Sequence, residues 1–274
     1  MSMPSDHRMV FTGGLHGSGV TLLAEHLARH PEVSLLAGAD APGCEGQHMQ
    51  SVYPRDAAYG GPGLFAFDPR AHLTEERPLC RVSTAQRLFE QWAPEWDLTR
   101  DVLVEKSAPN LIMMRYLLHL YPQARFVMVV RHPVAVALAT QARHRDLPIQ
   151  SLVAHWLHAH ELAAMDALLV ERLHIVRYEE LVTEPERVLA GVGDFLELTG
   201  PVPAGGMDAH HCDRYQRQWR SYRSLVHPGR RASCNRMEQR FAERVERFGY
   251  RLGDFTALNP ESTRLAAQGA LSVT

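Results

Sequence analysis

The chain has few of the features that mark secreted, membrane-bound or disulfide-stabilised proteins. It holds 4 cysteines among 274 residues, none in a CxxC pair, which favours free thiols in a reducing compartment over a disulfide framework. No apolar run approaches the roughly 18 residues of a membrane helix, and the N-terminus lacks the apolar core of a signal peptide. We therefore expect a cytoplasmic protein without membrane insertion. The cysteines are Cys44, Cys80, Cys212 and Cys234.

The sequence also lacks an excess of charge of either sign. Lys and Arg number 29 against 31 Asp and Glu, a formal net charge of −2, so no global field attracts a polyanion. We expect no nucleic-acid partner, and any anion site has to be local.

Histidine is abundant, but a metal-ligand pattern is missing. The 16 histidines are spread along the chain rather than arranged at ligand spacing. His210, His211 and Cys212 are adjacent, and adjacent ligands do not converge well on one ion. The sequence therefore predicts no metal site.

Short apolar runs and helical patterns alternate along the chain, which is typical of an α/β protein. We expect a single domain over residues 1–274, with a parallel sheet of about four to five strands between helices in a three-layer sandwich. The predicted strands are Met9–Thr12, Val102–Val104, Phe126–Val130 and Leu173–Val176. The predicted helices are Thr21–His30, Leu152–Leu169, Pro185–Leu198 and Met237–Phe248, with another from Pro133 through Thr140.

Two segments depart from this alternation. Residues 38–78 are rich in Gly and Pro and show weak periodicity, which is long for a passive connection. We expect this segment to bind the acceptor or to act as a lid. The polar, small-residue tail 261–274 is predicted to be disordered.

A glycine-rich loop lies between the first predicted strand and helix. Gly13–Thr21 is a setting in which backbone N–H groups converge on a phosphate. From Gly14 the string matches GxxxxGx[ST], but Val20 stands where a nucleoside-triphosphatase loop carries Lys. A P-loop kinase-like phosphotransferase is therefore the disfavoured alternative.

The loop and a second motif together resemble a known family. Ser18 and Gly19 in the loop, followed by Val130-Arg131-His132-Pro133 after a strand, resemble the nucleotide-binding motifs of sulfotransferases that use 3′-phosphoadenosine 5′-phosphosulfate (PAPS). Further matches are Glu105-Lys106-Ser107, Arg177–Val182 and Phe248-Gly249-Tyr250. The resemblance implies a P-loop-like fold.

The resemblance also implies a reaction. A sulfuryl group passes from PAPS to a hydroxyl or similar nucleophile of an acceptor, which we expect to be a small molecule or natural product. The product is 3′-phosphoadenosine 5′-phosphate (PAP), and no metal takes part.

The resemblance assigns roles to individual residues. Glu45 or His48 is expected to be the general base, with Glu45 first, and Lys106 is placed near the sulfuryl group. The expected nucleotide-binding residues are His16, Gly17, Ser18, Gly19, Val20, Thr21, Arg131, Ala139, Tyr178 and Arg214.

Two positions depart from the family pattern. Many members carry Lys or Arg at Gly17 and Ser at Ala139. Lys106 or Arg214 is the expected substitute for the missing cation, and Thr140 or Arg143 for the missing contact to the 3′-phosphate. These departures leave open a non-catalytic nucleotide-binding protein of the same fold. Neither the acceptor nor the oligomeric state follows from the sequence.

Overall fold

A computed structural model describes residues 7–38, 42–77, 81–208, 213–224 and 228–255. The predicted tail 261–274 and the His210-His211-Cys212 string lie outside the described residues, as do 39–41 and 78 of the glycine-rich segment.

The described chain contains one sheet of 5 strands, all parallel, in the order β2-β3-β1-β4-β5. The strands are β1 Arg8–Gly13, β2 Val33–Leu35, β3 Val102–Lys106, β4 Arg125–Val130 and β5 Leu173–Arg177. All four predicted strands are confirmed. Strand β2 was not predicted, because 3 residues are too few to give a pattern.

Helices cover both faces of the sheet, which confirms the predicted three-layer α/β sandwich. Alternate residues of β1 point to opposite sides: Phe11 packs in one core with α2–α5, α8 and α9, and Val10 packs in the other with α1, α6 and α7. The helices are α1 Val20–Leu27, α2 Val82–Trp92, α3 Met114–Leu120, α4 Pro133–Gln141, α5 Ile149–Ala167, α6 Tyr178–Thr183, α7 Pro185–Leu196, α8 Asp213–Tyr222 and α9 Pro228–Glu246.

The strand order brings the two predicted nucleotide motifs to one place. The chain runs from β1 to the edge strand β2, returns to place β3 beside β1, and then crosses over to pair β4 with the other side of β1. In an open parallel sheet, ligands bind at the carboxyl ends of the strands that flank such a reversal. The glycine-rich loop follows β1, and Arg131 follows β4.

The segment 42–77 forms short 3₁₀ turns rather than a long helix or strand. It is nevertheless packed onto the body of the domain: Phe65 is fully buried, and the amide of Ala66 donates to His155 Nε2 on α5 at 3.1 Å. The segment is therefore a packed wall rather than a loose connection.

Among the described helices, none is both long and apolar enough to cross a bilayer. The same residues contain no group of three or more His, Cys, Asp or Glu side chains arranged to hold a metal ion.

Candidate active site

A cleft of about 700 Å³ opens at the carboxyl ends of β1 and β4. Its walls come from the glycine-rich loop, the segment 42–77, the C-terminal half of α4, the start of α6 and the start of α8. Most of the predicted nucleotide-binding residues line it, namely His16, Gly17, Gly19, Val20, Thr21, Arg131, Ala139, Tyr178 and Arg214.

The glycine-rich loop needs its glycines for backbone conformation and for close approach. Gly17 and Gly19 have φ of 84° and 104°, in the region that favours glycine. A Cβ atom on Gly19 would overlap the ring of Tyr178. The loop therefore runs directly under the first residue of α6.

The end of the loop presents free hydrogen-bonding capacity to an anion. Helix α1 begins after Gly19. Its first amide groups have no acceptor within the helix, and no side-chain cap accepts from them. The hydroxyl group of Ser18 is buried and has no hydrogen-bond partner within the described ranges. An orphaned hydroxyl beside an uncapped helix N-terminus fits a phosphate or sulfate group.

Arg131 is held in place from several directions. Its Nη1 donates to the carbonyl oxygen of Gly17 at 2.8 Å, which joins the two nucleotide motifs directly. The guanidinium lies 3.9 Å from the ring centroid of Tyr178 and 5.1 Å from that of Tyr215. The indole of Trp156 donates to the Arg131 carbonyl oxygen at 3.0 Å. These contacts therefore fix the Arg131 side chain in position at the cleft.

Lys106, at the end of β3, lies behind the loop and is not part of the cleft wall. The residue is 3% exposed, and its ammonium group donates to the Gly43 carbonyl oxygen and, at 3.3 Å, to Thr21 Oγ1. It thus joins the first turn of α1 to the segment 42–77.

The two candidate bases occupy different positions. Glu45 lines the cleft, and its Oε2 accepts from Gln47 Nε2 at 2.6 Å and from the Ala108 amide at 3.4 Å. His48 does not line the cleft, and its Nδ1 is buried with no partner in the part of the chain that the structure describes.

The rim of the cleft near α4 and α8 contains residues expected to substitute for the cation missing at Gly17 and the serine missing at Ala139. Thr140, Arg143 and His144 line the cleft next to Ala139 at the end of α4. Arg214 is exposed on α8, where its guanidinium lies 4.5 Å from the Tyr215 ring centroid.

His16 in the loop pairs with Asp56 from the segment 42–77, with Nε2 and Oδ2 3.2 Å apart. Burial opposes ionisation of Asp56, but the hydrogen bond and charge of His16 outweigh it and hold the pKa of Asp56 below its ordinary value. The pair fastens the segment to the loop.

The predicted site gives Glu105 no role of its own, although the sequence marks this residue as unusual. An acidic residue closing the apolar run Val102–Val104 at the edge of a buried strand is unusual, because carboxylates are seldom buried without partners. Glu105 is 0% exposed, and burial raises its pKa to about 7. Asp56 carried no comparable signal, because its pairing with His16 depends on how the segment 42–77 folds back.

A comparison with known proteins shows the family of the chain. A profile of the Sulfotransferase family matches residues 9–201, more than half of the chain. The chain therefore belongs to the sulfotransferase family and is a transferase. No curated protein sequence is significantly similar to the chain.

Solved structures of sulfotransferases resemble it at low sequence identity. The sulfotransferase domain of the Synechococcus PCC 7002 olefin synthase is 24% identical, over 77% of this chain and 86% of that one, with a TM-score of 0.45. The sulfotransferase domain from the curacin biosynthetic pathway is 20% identical, over 78% and 91%, with a TM-score of 0.46. A sulfotransferase from Alicyclobacillus acidocaldarius is 13% identical, over 94% and 99%, with a TM-score of 0.48.

Proposed function

We propose that the protein transfers a sulfuryl group from PAPS to a hydroxyl or similar nucleophile of a small-molecule or natural-product acceptor, with Glu45 as the general base. The observation that carries the proposal is the hydrogen bond of 2.8 Å between Arg131 Nη1 and the Gly17 carbonyl oxygen, which joins two anion-binding motifs at one cleft. The free thiols of Cys44 and Cys234 fit a cytoplasmic location.

The residues present fit a doubly phosphorylated adenosine donor. The amide groups at the start of α1 and the Ser18 hydroxyl would bind the 5′-phosphosulfate. Arg131 would bind the phosphate at the other end by charge-assisted hydrogen bonds. Two cations could substitute for the one missing at Gly17: Lys106, 3.3 Å from Thr21 Oγ1, and Arg214, which lines the cleft beside Tyr215.

Bound donor supplies the sulfuryl group together with a phosphate leaving group. Sulfuryl transfer resembles phosphoryl transfer in needing in-line positioning and neutralised charge on the leaving oxygens. The backbone amides of the loop would meet this need, together with Lys106 or Arg214 as the cation. No residue of the chain has to form a covalent bond.

Glu45 would take the proton of the acceptor hydroxyl group as the new sulfur–oxygen bond forms. Gln47 and Ala108 both donate to its Oε2, which fixes the carboxylate and turns its other oxygen into the proton acceptor. His48 is the weaker candidate, because it is absent from the residues that line the cleft.

The test is radiosulfur transfer from labelled PAPS to a panel of phenols and aliphatic alcohols. We expect wild-type protein to label at least one acceptor and Glu45→Gln to lose about 100-fold or more of kcat, within the usual range for a general base. PAP affinity should stay unchanged in this variant, and His48→Gln should keep turnover. Full turnover by Glu45→Gln, or its loss in His48→Gln alone, would remove Glu45 as the base.

A further inference from the structure

We infer that Glu105 is a positioning residue for Glu45: its buried carboxyl group holds the turn that carries Glu45 and, through its neighbours, fixes the Glu45 carboxylate. This inference rests on the proposed function of Glu45 as the base.

The first connection runs through the backbone next to Glu45. Oε1 of Glu105 accepts from the amide of Gly46 at 3.0 Å. A Cβ atom on Gly46 would overlap the Glu105 carboxyl group, so only glycine lets the turn come this close. The residue that follows the base therefore rests directly on Glu105.

The second connection runs through side chains. Ser107 Oγ donates to Glu105 Oε1 at 2.5 Å and accepts from the Gln47 amide at 3.0 Å. Gln47 in turn donates through Nε2 to Glu45 Oε2 at 2.6 Å. Glu105 thus reaches Glu45 by two independent routes, which fixes both the backbone and the carboxylate of the base.

The same carboxyl group is anchored to the sheet. Asn110 Nδ2 donates to Glu105 Oε2 at 2.5 Å and to the Thr12 carbonyl oxygen, near the end of β1, at 2.9 Å. Trp92 Nε1 donates to the Gly46 carbonyl oxygen at 3.0 Å. The base-bearing turn is therefore tied to the strand from which the glycine-rich loop departs.

The two carboxyl groups also interact electrostatically. Burial, and to a smaller extent the negative charge of Glu45, raises the pKa of Glu105 to about 7, against the opposing hydrogen bonds from Ser107, Asn110 and Gly46. Ionisation of Glu105 makes its hydrogen bonds with the Gly46 amide and the Ser107 hydroxyl charge-assisted, so the turn is held more firmly.

The surrounding titratable groups do not replace this effect. They are Lys106, which donates to the Gly43 carbonyl oxygen, His48, and the phenols of Tyr53, Tyr116 and Tyr121. Burial raises the pKa of Tyr53 and of Tyr121 well above the ordinary value, so both phenols stay neutral around neutral pH.

The test is the pH dependence of kcat, measured with radiosulfur transfer. In wild-type protein we expect kcat to rise by about threefold near pH 7, as Glu105 ionises and holds the turn more firmly. Glu105→Gln should lose this rise and keep PAP affinity. His48→Gln should keep the rise, which assigns it to Glu105 rather than to His48.

Matched variants isolate position from charge. Asp166→Asn removes another carboxylate that is 0% exposed and hydrogen-bonded to His72, and it should lower the melting temperature while the rise near pH 7 remains. Ser107→Ala removes the side-chain route without a change of charge, and it should lower kcat about 10-fold at unchanged PAP affinity.

Each outcome decides the question. A rise near pH 7 that persists in Glu105→Gln overturns the role of Glu105 ionisation, and unchanged kcat in Ser107→Ala overturns the positioning role even if Glu105→Gln does not fold. If Glu45→Gln keeps full turnover, it is the proposed base that fails, and the inference about Glu105 falls with it.

Discussion

Gly17 faces Ala139: a Cβ atom built on Gly17 would lie 3.0 Å from the Cβ atom of Ala139. These are the two positions at which the resemblance to the family implies a departure, a missing cation and a missing serine. Because the two positions face each other, both departures fall at one place in the cleft.

We predict that the two positions are energetically coupled. Gly17→Ala should destabilise the fold by about 1 kcal/mol or more, because φ of 84° is unfavourable for a residue with Cβ and the new atom crowds Ala139. Ala139→Gly should cost about 1 kcal/mol in helix propensity. In a double-mutant cycle by chemical denaturation, the double variant should be more stable than the sum of the single effects. Strict additivity would mean that the two side chains do not touch.

A second prediction concerns the loop under Tyr178. Gly19→Ala should weaken PAP binding at least about 10-fold, since the added methyl group displaces the Tyr178 ring on which Arg131 stacks. Gly200→Ala is a matched control: Gly200 also has positive φ, at 101°, but a Cβ atom there would meet nothing within 4 Å. Equal losses of affinity in both variants would show general backbone strain rather than displacement of Tyr178.

Local signals in the sequence predict the fold and the position of the glycine-rich loop and Arg131 at one edge of the sheet. The β-branched runs around Val102–Val104 and Phe126–Val130 and the glycine-rich loop are each readable over a few residues, and parallel strands bring their ends together. Strand β2, with 3 residues, is too short to give a recognisable sequence pattern. Helix α9 begins at Pro228, earlier than the predicted Met237, because its first half is mostly exposed and carries little apolar periodicity.

Tertiary relationships were beyond reach of the sequence. The position of Glu45 at the cleft and of His48 away from it depends on how the segment 42–77 turns on Glu105, and no spacing along the chain encodes that turn. Gly17 and Ala139, which face each other, are likewise more than a hundred positions apart in the sequence. The roles proposed for the nucleotide-binding and catalytic residues remain predictions for experiment.

A third prediction separates Arg143 from Thr140 as the partner of the 3′-phosphate. Both line the cleft beside Ala139. Whichever residue binds the 3′-phosphate, its replacement should weaken binding of PAP and leave binding of adenosine 5′-phosphate unchanged, because only PAP carries that group. For Arg143→Ala we expect a loss of about 1.5 to 3 kcal/mol, typical of a charge-assisted contact. Calorimetry of Arg143→Ala and Thr140→Val with both nucleotides decides between them, and equal losses for the two nucleotides would exclude both residues.

A fourth prediction concerns acid stability. Burial lowers the pKa of His155 to about 3 and of His132 and His160 to about 4. Between those values and the unfolded value near 6.5, the unfolded chain binds protons that the folded chain does not, so stability falls as pH decreases below about 6.5. Each histidine contributes about 1.4 kcal/mol per pH unit to that slope. Glu105 and Glu179, whose pKa values burial raises, act in the opposite direction.

His160→Phe tests this account of acid stability. His160 stacks on Trp156 with ring centroids 4.0 Å apart, and its Nε2 has no partner among the described residues. Chemical denaturation between pH 5 and pH 8 should give a shallower pH slope for this variant, while replacement of the exposed His119 by Gln should leave the slope unchanged. An unaltered slope in His160→Phe would mean that His160 is not the buried neutral base inferred from its surroundings.

The most direct test of the donor site is a calorimetric titration of the protein with PAP, alongside ATP with Mg²⁺ and alongside Arg131→Ala. The geometry of Gly17 and Arg131 predicts saturable one-site binding of PAP, at least about 10-fold weaker binding in Arg131→Ala, and a clear preference for PAP over ATP with Mg²⁺. A wild-type protein that ignores PAP at millimolar concentration, or that prefers ATP with Mg²⁺, would contradict the proposed sulfuryl donor site.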